Sequence, residues 1–141
     1  MSDCVFCAIV SGTSPAHVVY SDDDVVAFLD IAPISAGHTL VVPRQHSAGL
    51  ADLDPMIGGK IFAAGQRIAA AMRAGAISAD GVNLAMNDGR AASQTVFHSH
   101  LHVVPRHSGD KFSVAKGFLT RRARDLDSVA AMVREALEVL P

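Results

Sequence analysis

The chain has 141 residues, a length typical of one folded domain, and half of them are apolar although Trp is absent. Its 12 basic and 14 acidic side chains nearly cancel, and the net charge of −2 indicates neither a nucleic-acid nor a membrane partner. No apolar run approaches the roughly 20 residues that cross a bilayer. Since the N-terminus does not resemble a signal peptide either, we expect a cytoplasmic protein with reduced cysteines.

In chain order, the first predicted elements are strands. After a compact segment that ends in a turn at residues 12–15, the sequence predicts strands at residues 17–20, 25–30 and 38–43. The three consecutive aspartates at 22–24 favour a solvated hairpin turn over a cation site.

A long helix follows the third strand. Asp54 and Pro55 form a typical helix start, an N-cap acceptor followed by proline at the first helical position. Gly75 is a plausible end. Apolar residues recur between them at helical spacing: Ile57, Ile61, Ala64, Ile68 and Met72.

Two more strands, at 81–87 and 96–105, precede a C-terminal helix at about 126–140. Strands in consecutive groups with short connections favour an α+β domain. We therefore expect a single domain over 1–141, with a five-stranded antiparallel sheet, one long central helix and a C-terminal helix. The basic side chains after the fifth strand favour a solvated surface: Arg106, Lys111, Lys116, Arg121, Arg122 and Arg124.

The most informative segment carries His98, His100 and His102. Side chains alternate faces along a strand, so the three imidazoles are expected on one face. Three imidazoles so close together each need a defined hydrogen-bond partner and tautomer. The pattern therefore indicates a functional site and not part of the hydrophobic core.

Two chemistries fit this pattern. The three histidines could bind a metal that holds a water nucleophile. Alternatively, one neutral imidazole could attack phosphorus itself. The neutral donors nearby, Asn87, Gln94 and Thr95, favour the second because they suit phosphate oxygens better than zinc.

Cys4 and Cys7 form a Cys-x-x-Cys pair whose meaning the spacing leaves open. A redox pair normally follows a strand, and we predict no strand ahead of this one. A zinc half-site needs two further ligands, for which His46 and His98 are chemically suitable. Two small buried cysteines without a metal are the third possibility.

Several motifs together resemble histidine-triad nucleotide hydrolases. They are Asp30-Ile31-Ala32-Pro33, residues 37–43, residues 83–87, residues 94–97 and the triple histidine, all in the family's order and within residues 4–107. The resemblance implies a HIT-like fold and a hydrolase that cleaves nucleoside 5′-phosphoramidates or dinucleoside polyphosphates at the α-phosphate.

The resemblance also implies roles for individual residues. His100 would be the nucleophile and form a nucleotidyl-histidine, with His38 and His102 orienting it and managing its charge. Asn87, Gln94 and Thr95 would hold the phosphate and leaving group. The substrate's purine nucleoside monophosphate moiety would be bound through its ribose by Asp30 and through its base near Ile31 and Phe28.

The resemblance further favours a structural zinc held by Cys4, Cys7, His46 and His98, no organic cofactor, and a homodimer. The Ile57–Met72 stripe and the strands beside it offer a candidate dimer surface. Two positions depart from the family pattern: Ser99 stands where the spacer is normally apolar, and Ser93 stands where glycine is frequent. Neither removes a functional side chain.

Three other functions remain open from the sequence. The chain could be a nucleotide-binding regulatory protein in which turnover is incidental. It could be a nucleotidyltransferase, because a nucleotidyl-histidine can pass to acceptors other than water. It could also be a metal-dependent hydrolase, which a chelator would inhibit.

Overall fold

The computed structural model describes residues 3–120 and 125–141. Arg121, Arg122 and Arg124 of the basic region lie outside the described residues. Within those residues, the strands are β1 (Val18–Ser21), β2 (Val25–Leu29), β3 (Thr39–Pro43), β4 (Gly81–Met86) and β5 (Leu101–Arg106). The helices are α1 (Val5–Ser11), α2 (Pro55–Ala74), α3 (Lys111–Thr120) and α4 (Leu126–Val139), with short 3-10 turns at Leu50–Asp52 and Arg90–Ala92.

The five strands form one antiparallel sheet in the order β1-β2-β3-β5-β4. The α+β prediction with a long helix and a C-terminal helix is therefore confirmed. None of the described helices combines the length and the hydrophobicity needed to cross a membrane.

Helices α2 and α4 cover one face of the sheet. Asp54 caps α2, its carboxylate accepting the Met56 N–H at 2.8 Å, and the helix ends at Gly75 as predicted. Ile61 and Ile68 of the predicted stripe are buried here with Val133 of α4. Except for the half-buried Ile57, the stripe is thus core, and the stripe itself is wrong as a dimer surface because packing against the sheet already covers it.

Helix α1 covers part of the opposite face. Its Phe6 packs with the β2 and β3 residues that point to this side: Val26, Phe28, Leu40 and Val42. The register aligns Phe28 with Leu40 and Leu40 with His102, which places His102 on the α1 side of the sheet.

Strand β5 begins at Leu101, so its predicted start at residue 96 is wrong. The chain bends over residues 96–98, where the Gln94 amide donates to the Val96 carbonyl at 3.1 Å. Continued beyond the Val41–Leu101 pair, the β3 register would place His100 opposite Val42 and then Ser99 opposite Pro43. Proline has no N–H to donate to a ladder. His98 and His100 therefore precede the strand.

Candidate active site and metal centre

Four potential metal ligands converge beside α1. They are Cys4, Cys7, His46 and His98, and their ligand atoms all lie within 4.8 Å of one another. The Cys7 Sγ lies 3.3 Å from His46 Nδ1 and 3.5 Å from His98 Nδ1. The two Nδ1 atoms are 3.2 Å apart. A tetrahedral zinc site has ligand separations of about 3.3 Å between nitrogens and about 3.6 Å between sulfur and nitrogen, so the four atoms fit a tetrahedron.

Local structure prepares these ligands. Cys4 is the N-cap of α1 and its Sγ accepts the Cys7 N–H at 3.4 Å, which brings both sulfurs to one end of the helix. The Nε2–H of His98 donates to the Pro43 carbonyl at 2.8 Å, leaving the lone pair on Nδ1, the atom that faces the sulfurs. Burial lowers the pKa of His98, which keeps its ring neutral and able to bind a metal.

Two other histidines form a hydrogen-bonded chain that starts at the backbone. The Ile34 N–H donates to His38 Nδ1 at 3.0 Å, so the proton of this buried ring lies on Nε2. His38 Nε2 in turn donates to His102 Nδ1 at 2.9 Å. The proton of neutral His102 therefore lies on its Nε2.

His100 is buried beside this chain. Its ring centroid lies 5.0 Å from that of His102, and Phe6 packs edge-on against it at 5.2 Å. The Nδ1–H of His100 donates to the His98 carbonyl at 2.8 Å, which leaves the lone pair on Nε2. A neutral imidazole with a fixed tautomer is the form in which histidine acts as a nucleophile.

The predicted nucleoside-binding residues lie at the end of β2. Asp30 Oδ1 accepts the Ala32 N–H at 2.8 Å, and its Oδ2 lies 3.6 Å from His38 Nε2. Ile31 is 73% exposed and offers an apolar surface to a ligand. Phe28 is buried against Phe6, with ring centroids 5.3 Å apart, so it offers no exposed surface of its own.

The three predicted phosphate-binding residues differ in their surroundings. Thr95 is exposed, and Asn87 is half-buried where β4 ends. Gln94 is buried and its amide is fully engaged. The amide oxygen accepts the Gly89 N–H at 2.7 Å, and the nitrogen donates to the carbonyls of Ala48 at 2.7 Å and Val96 at 3.1 Å. Gln94 thus fixes the backbone on both sides of Thr95.

A cavity of about 450 Å³ lies next to Asp30 and His38, between residues 33–37 and α3. Lys116 lines it, whereas Arg106 of the same basic region is engaged elsewhere. The Arg106 guanidinium makes two hydrogen bonds to Asp110, at 2.8 and 2.9 Å, and lowers the pKa of that carboxyl to about 2. This ion pair joins the end of β5 to the start of α3.

Sequence reasoning missed the groups that set the tautomers. Three are backbone groups, the Ile34 N–H and the carbonyls of Pro43 and His98, and no residue type signals them. Phe6 was also missed, although it contacts the rings of both His98 and His100. Its position inside the Cys-x-x-Cys pair was the available signal, because an apolar residue there must pack beside the metal ligands.

The comparisons with known proteins agree with this geometry. A family model described as the HIT domain matches residues 11–109. An uncharacterized HIT-like protein of Mycobacterium tuberculosis (strain H37Rv) is 52% identical over 134 residues, which cover 95% of this chain and 92% of that protein. An adenylylsulfatase of Arabidopsis thaliana is 35% identical over 132 residues, covering 94% of this chain and 66% of the plant protein.

A solved structure shows the same similarity in three dimensions. The crystal structure of a zinc-bound histidine triad family protein from Mycobacterium smegmatis superposes with a TM-score of 0.90 at 49% identity. The alignment covers 97% of this chain and 94% of the mycobacterial one.

Proposed function

This chain belongs to the HIT-domain family of histidine-triad proteins, and from that premise we propose that it is a nucleotide hydrolase. It acts at the α-phosphate of a nucleoside 5′-phosphoramidate or a dinucleoside polyphosphate. The observation that carries the proposal is the His100 tautomer: Nδ1–H is held by the His98 carbonyl at 2.8 Å, so Nε2 keeps its lone pair.

In the first step, the lone pair of His100 Nε2 attacks the α-phosphorus. A phosphorus–nitrogen bond forms, and the bond from phosphorus to the leaving group breaks. The electron pair of that bond leaves with the amine or phosphate. An amine leaving group takes up a proton from solvent, which the water of the second step later returns. The proton on His102 Nε2 supplies a hydrogen-bond donor at this point. In the second step, water cleaves the phosphorus–nitrogen bond and frees His100.

The nucleoside is bound by the residues at the end of β2. The Asp30 carboxylate accepts hydrogen bonds from the ribose hydroxyls, while the purine packs against Ile31 near the buried Phe28. Asn87 and Thr95 contact the phosphate and leaving group. Gln94 contributes indirectly by holding the backbone of the loop that carries Thr95. Its own amide is already hydrogen-bonded to Gly89, Ala48 and Val96.

Zinc is the metal that suits Cys4, Cys7, His46 and His98, because two thiolates and two imidazoles form a closed tetrahedral set. The similar mycobacterial structure is described as zinc-bound. When bound, the ion supplies structural cross-linking, since four protein ligands leave no position for a substrate. A catalytic metal held by the three alternating histidines is disfavoured, because His98 Nδ1 faces the cysteines.

Trapping of the intermediate tests the hydrolase proposal. Initial rates should be measured on an adenosine phosphoramidate, a diadenosine polyphosphate and adenylyl sulfate, the last because of the plant relative's name. Rapid quenching should then add one nucleotidyl group to the peptide that contains His100. We expect His100→Asn to abolish this label and to lower turnover by several orders of magnitude.

A His102→Asn variant is the matched control, because it changes a neighbouring ring that is not the nucleophile. It should be slower than the wild type but should still acquire the label on His100. A label on another residue, or near-normal turnover of His100→Asn, would contradict the proposal. Turnover that a chelator stops at once would favour the metal-dependent alternative.

The protein also forms a homodimer in this proposal, through the side of the sheet that β4 and α2 share. β4 is an edge strand of the sheet, and Phe62 on α2 is 51% exposed. Sedimentation at micromolar concentration should give the mass of two chains. Phe62→Glu should weaken the dimer, whereas Phe112→Glu, which changes an 82% exposed residue of α3, should not. A monomeric wild type would disprove the dimer.

A further inference from the structure

Two buried serines connect the segment that carries the nucleophile to the loop after β3. Ser47 is 3% exposed and Ser99 is 2% exposed, and 52 residues separate them. The Ser47 hydroxyl donates to the Ser99 hydroxyl at 2.8 Å. The Ser99 hydroxyl donates to the Ser47 carbonyl at 3.3 Å, and the Ser99 N–H donates to the same carbonyl at 2.8 Å. The reactions proposed above do not use either serine.

The Ser99 N–H belongs to the same peptide unit as the His98 carbonyl. That carbonyl accepts the Nδ1–H of His100 at 2.8 Å. Since a peptide unit is planar, its N–H and C=O point in opposite, fixed directions. Fastening the N–H to Ser47 therefore fixes the direction of the oxygen that holds the His100 ring.

No ladder bond is available to do this instead. Strand β5 starts at Leu101, and continuing its register with β3 would bring Ser99 opposite Pro43, whose carbonyl already accepts the Nε2–H of His98 at 2.8 Å. The Ser47 carbonyl accepts the hydrogen bond from the Ser99 N–H that a neighbouring strand would otherwise accept. The Ser99 hydroxyl donates a second hydrogen bond to the Ser47 carbonyl, and the Ser47 hydroxyl donates to the Ser99 hydroxyl. These side-chain bonds hold the Ser47 carbonyl in place.

We propose that Ser47 and Ser99 are positioning residues for the nucleophile, which orient the His98–Ser99 peptide so that His100 keeps its lone pair on Nε2. This inference rests on the proposed role of His100. Neither serine touches the substrate. Their effect is on the bond-making step and not on nucleotide binding, which lies with Asp30 and Ile31.

The test compares Ser47→Ala, Ser99→Ala and the double variant with the wild type, all purified with their metal. A misplaced nucleophile costs about ten- to a hundredfold in rate. We therefore expect kcat to fall by at least about tenfold in all three variants while KM changes by less than about twofold. Ser11→Ala, which removes an exposed hydroxyl from α1, is the control and should keep the wild-type kcat.

The double variant separates positioning from simple stability. A single replacement leaves the partner hydroxyl buried without its hydrogen bond, whereas the double replacement removes both groups. If the pair were merely structural, the double variant would recover melting temperature and kcat together. We expect it to recover melting temperature only. If the double variant does not fold, Ser47→Ala alone carries the same expectation.

A measurement on the ring nitrogens makes the inference independent of turnover. Nitrogen-15 NMR of the wild type should show His100 as one tautomer, protonated on Nδ1. The variants should show a mixture of tautomers with unchanged zinc content. If His100 in the double variant kept the single tautomer of the wild type and kcat were also unchanged, the positioning role would be overturned while the proposed function would stand. Absence of any His100 intermediate in the wild type would instead overturn the proposed function, and the NMR comparison would still decide the positioning role.

Discussion

A backbone amide determines which ring nitrogen carries the proton in His38 and in His102. The Ile34 N–H can only donate, so His38 Nδ1 must accept, and each following nitrogen takes the role that remains. Replacing His38 with a residue that cannot donate a hydrogen bond would remove the contact that places the His102 proton on Nε2. The main-chain conformation of residues 33–37 is thus part of the site.

Ser93 occupies a backbone conformation that favours glycine. Its φ is +72° and its ψ is 24°, in the left-handed region where a Cβ is strained. We expect Ser93→Gly to raise the free energy of unfolding by about 0.5–1 kcal/mol, the relief of strain exceeding the added freedom of the unfolded chain. Urea unfolding followed by circular dichroism measures this. Ser93→Ala keeps the Cβ and is the control, and equal stability of the two variants would refute the strain.

Many of the site residues could be named from the sequence, because their chemistry depends on residue type and order. The structure brings Cys4, Cys7, His46 and His98 together as the predicted ligand set. What each ring nitrogen does could not be predicted, since that depends on hydrogen bonds to the carbonyls of Pro43 and His98. Main-chain atoms are the same at every position, so the sequence carries no signal for them.

At the scale of elements, strands β1 to β4 were predicted to within one residue at each end. Apolar, β-branched runs between turns identify them well. The predicted start of β5 was wrong because histidines alternate in the sequence from His98 to His102, whereas strand pairing begins only at Leu101. Helix α1 was missed because seven residues are too few for a clear period, and α3 because its apolar residues are exposed and follow no buried stripe.

Helix α2 contains two glycines that test how closely it packs on the sheet. A Cβ at Gly65 would lie 2.7 Å from a Leu101 methyl carbon and 3.1 Å from one of Leu84, whereas a Cβ at Gly59 meets nothing within 4 Å. We expect Gly65→Val to lower the free energy of unfolding by about 1–3 kcal/mol through overpacking. The exposed Gly59→Ala should raise it by up to about 1 kcal/mol.

Thermal or urea unfolding of both variants provides the measurement. The two changes lie on the same helix, so opposite signs would locate the effect in the packing and not in helix propensity. A stabilised Gly65→Val protein would mean that α2 does not approach β5 as closely as described.

For the molecule as a whole, the cysteine and histidine cluster joins three distant parts of the chain. It connects α1 to the loop after β3 and to the segment before β5. We expect about one zinc per chain, and a loss of about 2.7 kcal/mol of stability on its removal when free zinc is a hundred times its Kd. Replacing Cys4 and Cys7 with Ala should lower the melting temperature more than the rate per folded molecule.

Metal analysis and calorimetry test this expectation together. The chain has two cysteines, so the number of thiols that react before and after chelation reports directly on the site. Thiols that are slow to react with zinc present and fast without it would support metal binding. Native protein without metal and with unchanged stability would refute it.

The strand order also determines when the protein can fold during synthesis. β5 lies between β3 and β4 in the sheet but is the last of the described strands to leave the ribosome. About 20 residues separate the end of β4 from the end of β5, which corresponds to about 1–4 s of translation. During this interval β4 has no partner strand and Cys4 awaits a histidine 94 positions later. The nascent chain therefore exposes an unpaired β4 until β5 has been synthesised.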